Sequence, residues 1–474
     1  MELNSREKTL ASAGVILGVF LAAIESTVVA TAMPTATSAL GGISLIHYVF
    51  AVYSLATVTT ITMWGKLADM IGLRRTFWAG CLIFLAASAL CGISQNIYQL
   101  IAFRFFQGIG AGAIFPVAMT TLSAIHSQAK RVKMQIYLSA VWAVASVIGP
   151  PIGAVLTQQF SWRWVFYLNI PFGALSLFLV QTGLRQYGDG QSAERRPFDA
   201  KGSALNALWI VLLLTGIAVN KKGRFLFGPA AATAFVSASA LAAFIFFRHL
   251  SSAKYPFISP SMLRHPIFIK AGAGNLLICT AMFGAMAYVP LFSQAGLGET
   301  VIASGHTLTL CLLGWIITSA VATRIYLRIS ARTLARFGMG AMTLAFAVLA
   351  LGHEGVTVNR LRACLFVVGA GMGLCFAPLL LEVQNAVPRR DLGSGTATLQ
   401  LLRNLGGLMG VSLMGTILAM NWDRSGPTGA GLVSQFQAHE AMGKVFMAGS
   451  IFALAGLLSV WNLPVPKNKS LSGQ

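Results

Sequence analysis

Apolar residues run through this chain in long blocks, without the strict alternation of a half-buried strand or the one-sided spacing of a surface helix. A helix that crosses hydrocarbon needs about 20 mostly apolar residues. Fourteen such blocks can be counted, beginning near Leu10, His47, Arg75, Ile97, Ile136, Val165, Gly202, Phe225, Ile267, Ser304, Leu334, Arg360, Gly393 and Gly443. The pattern predicts an all-α polytopic membrane protein, and an even number of crossings puts both termini on one side. Two longer polar stretches interrupt the blocks. "RQYGDGQSAERRPFDAKG", from Arg185, reads as a connector, and Asn421 to Glu440 as a loop on the opposite side.

Composition agrees with a lipid-facing chain. Of 474 residues, 56% are hydrophobic and 10% charged, with a mean hydropathy of +0.73. Soluble domains carry about 25% charged residues. The opening "MELNSREKTL" is short and polar and the next apolar run is too long for a leader's core, so no cleavable signal is expected. All six cysteines fall inside apolar runs without metal-ligand spacing and read as small core residues.

A net charge of +21 would suggest nucleic acid in a soluble protein. The places of the cations argue otherwise. With the N-terminus inside, eight of the 34 Lys and Arg fall outside and two, Arg104 and Arg403, within spans, leaving 24 on the inner side. That asymmetry is the retention signal of cytoplasmic loops. It orients both termini to the cytoplasm and makes the bilayer, not nucleic acid, the partner. The clusters Lys221–Arg224 and Arg360 with Arg362 run against it.

The chain also repeats itself. "GIGAGAIFP" from Gly108 matches "GAGMGLCFAP" from Gly369 at an offset of 261. "GPPIG" from Gly149 matches "GGLMG" from Gly406 at 257, and "GKLADMIGLRR" from Gly65 matches "TRIYLRISART" from Thr323 at 258. Three matches at nearly one offset predict two homologous six-helix halves, residues 1–184 and 267–474. Residues 185–266 hold the connector and two extra transmembrane helices. Parallel halves of this kind build secondary transporters.

At these residues the chain resembles the major facilitator superfamily, and within it the fourteen-helix drug:proton antiporter branch. The loop signature G-x-L-A-D-x-x-G-x-R-R stands as Gly65, Leu67, Ala68, Asp69, Gly72, Arg74 and Arg75, and the fourth-helix signature as Arg104, Gln107 and Gly108. The fifth-helix antiporter signature is matched by Gly149, Pro150 and Gly153, with Ala145 and Ala154 where the family has glycine. The branch's first-helix acid is usually Asp; here "ESTVV" supplies Glu25. "SWRWVFYLNIP", Ser161–Pro171, is also similar to the branch. The resemblance implies a major facilitator fold with the substrate site between the halves.

Glu25 is the residue that most needs explaining. An ionised carboxylate in hydrocarbon costs at least several kcal/mol, so such a residue faces a cavity, finds a partner or stays protonated. It lies 15 residues, about 22 Å of helix, from the start of its block, and Arg104 lies about 10 Å from the far end of its own. The two are expected at similar depth, paired when Glu25 is ionised and released by protonation, as a proton carrier or as a static packing pair. Asp69 on its inner loop is placed to accept hydrogen bonds from a neighbouring helix N-terminus. The resemblance implies that Gly65, Asp69, Gly72, Arg74 and Arg75 form a latch on the inner gate. Pro150 and Pro151 each remove a backbone donor and, with Gly149 and Gly153, are expected to bend or loosen the fifth span.

Arg403 near mid-membrane reads either as a site for an anionic substrate group or as a structural cap for carbonyls. Gln107, Tyr53 and Trp142 join it as substrate-cavity candidates. "GIGAG" lies inside an apolar span with no strand before it, so its glycines signal close helix packing and not a nucleotide loop. Nothing resembles a Walker motif, no cofactor or metal is implied, and seven scattered histidines supply no enzyme site. The expected function is therefore a proton-coupled exporter of amphipathic or hydrophobic compounds in the plasma membrane, not an enzyme, acting as a monomer. The alternatives are a dedicated exporter of one lipid, siderophore or metabolite, and a non-transporting receptor or scaffold.

Overall fold

A computed structural model describes residues 3–41, 45–185, 187, 198–217, 228–256, 258–326, 328–388, 391–421 and 432–464. Every regular element among them is helical: α1 (Ser5–Ala39), α2 (Ile46–Ile71), α3 (Leu73–Ile93), α4 (Ile97–Ile125), α5 (Gln128–Gln159), α6 (Trp164–Tyr167), α7 (Asn169–Gly183), α8 (Ala200–Gly216), α9 (Pro229–Ser252), α10 (Pro260–Leu263), α11 (Pro266–Met286), α12 (Val289–Ala295), α13 (Val301–Ile325), α14 (Ala331–Leu351), α15 (Val358–Ala386), α16 (Leu392–Asn421) and α17 (Leu432–Val460), with one 3₁₀ turn at His353–Gly355.

Local chemistry sets several of these boundaries. Asn4 and Glu7 form a reciprocal capping box at the start of α1: the Glu7 amide donates to Asn4 Oδ1 (2.8 Å) and the Asn4 amide to Glu7 Oε2 (2.9 Å). Gly72 separates α2 from α3 at φ 93°, a conformation that a side chain would disfavour.

Twelve described helical stretches are long and apolar enough to cross a membrane, against the fourteen expected. The segments expected near Ile136 and Gly202 are helical, as α5 and α8, but are not among the twelve. At 17 residues α8 is shorter than the roughly 20 that hydrocarbon demands. The polar segment expected as a loop from Asn421 lies largely outside the described residues, and its end, from Leu432, is the first turns of α17.

The chain forms two compact units. One comprises Met1–Val211, Ser239–Pro260 and Val387–Leu401; the other comprises Leu212–Ala238, Ser261–Ala386 and Leu402–Gln474. In the first, α1 packs on α4, α5 and α7, and α4 also on α2 and α3. In the second, α15 packs on α13, α14 and α11, and α17 on α11 and α14. Small residues permit these close crossings, as they must where lipid removes the hydrophobic drive between helices. A Cβ on Gly110 would meet the Gly80 carbonyl at 2.6 Å, and one on Gly338 the Gly371 carbonyl at 2.5 Å.

Helix α8 has a polar mount within the first unit. Asn206 Nδ2 on α8 donates to Thr62 Oγ1 on α2 (2.9 Å), both buried. Ser239 Oγ on α9 donates to the Trp209 carbonyl on α8 (2.8 Å). Asp199 accepts the Gly202 amide (2.8 Å) and meets His249 Nε2 of α9 at 2.9 Å.

Candidate functional site

Five helices of the first unit bring their polar residues to one buried point. Glu25 of α1 is 1% exposed and Arg104 of α4 is 2% exposed. Arg104 Nη1 donates to Glu25 Oε1 (2.5 Å) and to Gln107 Oε1 (2.7 Å). The guanidinium carbon lies 4.0 Å from the centre of the Tyr53 ring on α2, which adds a cation–π contact. Asn169, the first residue of α7, donates through Nδ2 to Glu25 Oε2 (2.5 Å) and to Ser88 Oγ on α3 (2.9 Å). Gln107 Nε2 donates to the same Ser88 oxygen (3.1 Å), whose own proton goes to the Phe166 carbonyl (2.9 Å).

The neighbourhood is dry. Ile24, Val28, Val49, Cys91, Leu100, Ala145 and Phe166 belong to the apolar cluster built around these helices. An ion pair in such a place is a poor stability device, since apolar residues of like volume often do as well. Breaking it from one side is costly, because the charge left behind has no water to replace its partner.

The sequence placed Glu25 and Arg104 at one depth, and the two side chains do meet. Gln107, a substrate-cavity candidate in the sequence, is fully buried inside the ion-pair network. Tyr53 stacks on the same arginine. Trp142 stands apart on α5 and is 38% exposed. Arg403 belongs to the second unit, its guanidinium 4.7 Å from the Phe376 ring centre. Phe376 meets Trp315 edge-on, and Trp315 meets Phe283. Asn169 and Ser88 escaped the sequence reading. The available signal was the one that exposed Glu25: a polar side chain in the middle of an apolar run, in "YLNIPFG" and "AASALCG".

Asp69 forms a second site in the first unit. Its carboxylate accepts the amides of Gly393 and Ser394 (both 2.8 Å) and the Ser394 hydroxyl (2.5 Å), at the first turn of α16. An acid there answers the unpaired donors and positive end of that helix. Gly65, one turn earlier on α2, lets the helices close: a Cβ there would meet the Gly393 carbonyl at 2.6 Å. On α5, Pro150 and Pro151 lie inside a continuous helix, and Gly149 and Gly153 pack on Thr27 and Thr31 of α1. Thr27 Oγ1 donates across to the Ala145 carbonyl (3.2 Å).

Comparison with known proteins decides the family. The major facilitator superfamily pattern matches residues 15–411. The chain belongs to the major facilitator superfamily. It is 32% identical over 420 residues to the multidrug transporter protein MdtP of Bacillus subtilis, covering 88% of this chain and 76% of that one. It is 31% identical over 404 residues to multidrug resistance protein 3 of the same organism, covering 85% and 78%. Among solved structures, the human organic anion transporter MFSD10 superposes with a TM-score of 0.65 at 14% identity, over 94% of this chain and 99% of that one, a likeness of fold. This major facilitator protein is a multi-pass membrane transporter.

Proposed function

We propose that this transporter exports hydrophobic or amphipathic small molecules in exchange for protons, by alternating access, as a member of the fourteen-helix drug:proton antiporter branch. The observation that carries the reading is the buried Glu25–Arg104 pair. The two multidrug relatives support the substrate class. In this reading α5 and α8 complete fourteen crossings, the termini are cytoplasmic, and residues 1–184 and 267–474 are the two bundles flanking an inserted segment, 185–266.

Ionised, Glu25 holds Arg104 and Asn169 through separate oxygens. A proton on Glu25 removes the charge that holds the guanidinium, and the helices carrying the pair gain freedom to repack. A bound proton and a bound substrate then exchange only if they favour opposite states, because a ligand shifts a conformational equilibrium only by its differential affinity. Asp69 acts as a latch in one state, bound to the start of α16, and releases in the other.

The test is transport in proteoliposomes with and without an imposed pH gradient, using ethidium, a neutral lipophilic dye and an anionic dye. The expected result is gradient-dependent movement of at least one dye by the wild type and its loss in Glu25→Gln. A Glu25→Gln protein that still concentrates dye at the wild-type rate removes the coupling role. Movement of no dye under any gradient favours a dedicated exporter, if one metabolite competes for binding, or a receptor, if none does.

A further inference from the structure

The hydrogen bonds around Glu25 all point one way. Arg104, Asn169 and Gln107 are donors at every contact they make to the carboxylate or to Ser88, and the Ser88 proton is committed to the Phe166 carbonyl. An ionised carboxylate only accepts, so it fixes the Asn169 carboxamide with its nitrogen inward. The carboxamide oxygen is buried with no hydrogen-bond partner among the described residues, although Asn169 is 1% exposed. An orphaned buried acceptor costs about 1–3 kcal/mol and calls for an explanation.

We infer that Asn169 reads the protonation state of Glu25 by turning its carboxamide over, so that Nδ2 donates to the ionised acid and Oδ1 accepts from the neutral one. Glu25 Oε1 faces the Arg104 cation, so the arriving proton goes to Oε2. There it meets the Asn169 N–H head-on, two donors facing each other. Rotation by half a turn about the Cβ–Cγ bond puts Oδ1 in place of Nδ2 and converts the clash into an O–H···O bond. The same turn presents Oδ1 to Ser88 Oγ, whose hydroxyl proton then swings from the Phe166 carbonyl to Oδ1. The signal leaves at the join between α6 and α7, where Phe166 and Asn169 lie three residues apart. No atom is gained or lost beyond the single proton on Glu25.

The charged and titratable groups that act on Glu25 from the packed helices are Arg104 on α4, Tyr53 on α2 and Cys91 on α3, and α5 packs on α1 nearby through Ala145 and Gly149 against Thr27. The network's other carboxamide, Gln107, has its oxygen held by Arg104 and its nitrogen on Ser88. Asn169 is the carboxamide that bonds Glu25 while its own oxygen is without a partner among the described residues. It is a positioning residue for the exchange, and the inference rests on the reading of Glu25 as the proton carrier.

Two measurements test it. In proteoliposomes transporting ethidium or the most responsive of the three dyes, Asn169→Leu can neither donate nor accept. It takes one bond from each form of Glu25, so transport slows while its pH midpoint stays within about half a unit of the wild type, whereas loss of a fixed donor would move the midpoint in the alkaline direction by about one unit, tenfold in proton affinity. In a Glu25→Gln background the same substitution leaves the residual pH profile unchanged, and Asn169→Gln restores part of the wild-type rate. Infrared difference spectra of the wild type on acidification keep the question answerable if Asn169→Leu does not fold. The Glu25 carboxyl band, absent in Glu25→Gln, should appear with a side-chain carboxamide band of the same midpoint. A Glu25 band without its carboxamide companion, or an Asn169→Leu midpoint moved about one unit in the alkaline direction, overturns the inference while leaving Glu25 as carrier. Persistence of full pH dependence in Glu25→Gln overturns the carrier reading itself.

Discussion

Helices α4 and α15 share a glycine-rich pattern, and they differ where charge is concerned. In α4 a Cβ on Gly108 would strike the Tyr53 carbonyl, and one on Gly112 would meet the Thr57 carbonyl at 3.0 Å. In α15, Gly369 stands in the same relation to Cys311, and a Cβ on Gly373 would meet the Trp315 carbonyl at 2.5 Å. Each glycine-rich face is also tied by a threonine: Thr57 donates to the Gly108 carbonyl (3.1 Å), and Thr318 to the Ala370 carbonyl (2.8 Å). At the repeat offset of 261, Arg104 and Gln107 correspond to Leu365 and Val368, both fully buried. The residue beneath the glycine changes from Tyr53 to Cys311. Helix α11, packed against α15, carries no acid at all. A glycine-faced helix of this kind is therefore built without an ion pair in the second unit.

The largest effect should come from making the first unit resemble the second. Arg104→Leu strands the Glu25 carboxylate, lowers stability by about 3–5 kcal/mol at alkaline pH where the acid is charged, and abolishes gradient-driven transport. Adding Glu25→Gln should restore much of the lost thermal stability in detergent and none of the transport. If the double variant is as unstable as the single one, the pair is a structural brace and the comparison fails.

The shared feature predicts equal costs. Gly110→Ala and Gly371→Ala each force a methyl group against a main-chain oxygen on the neighbouring helix, and overpacking of that kind costs about 1–3 kcal/mol. The two melting temperatures should fall together; a large fall in only one unit would show that the repeats are not energetically alike. Asp69→Asn should cost less, about 0.3–1 kcal/mol from the lost charge at the start of α16, with the effect visible mainly as a change in transport rate.

The smallest effect is a pH dependence at the end of α4. His126 meets Ser12 Oγ through Nε2 at 2.7 Å. Burial first, and then the charges of Lys130, Lys8 and Arg131, make its ring harder to protonate than an ordinary histidine. The unfolded chain therefore takes up this proton first. Its contribution to stability is intact above the usual histidine range near pH 6.5 and declines as pH falls through and below it. His126→Asn should flatten that limb of the stability profile. At the repeat offset of 261 the position matching His126 is Val387, which does not titrate.

Much of this architecture is legible from residues alone, and the limits have physical causes. Block length predicts where helices start, because hydrocarbon leaves the backbone no alternative to helix. Counting 1.5 Å per residue brings Glu25 and Arg104 to one depth. Depth is not direction, however. Spans that are apolar all round carry no stripe to show which face turns inward. Gln107 consequently read as a cavity residue, although it is buried in the ion-pair network, and Asn169 and Ser88 went unremarked. Helix α8 marks a different limit. Composition names it apolar, but it is tied by scattered polar bonds, Asn206 to Thr62 and Ser239 to the Trp209 carbonyl among them.

The glycine faces of α4 and α15 have a consequence for descent as well as for packing. A substitution there is resisted by a neighbouring backbone, which cannot yield by rotating a side chain, whereas Leu365 and Val368 show that the positions of the charged network accept plain hydrocarbon. After a duplication, one copy can lose its ionic machinery through single replacements and keep its silhouette. Shape of this kind outlasts the activity it once housed.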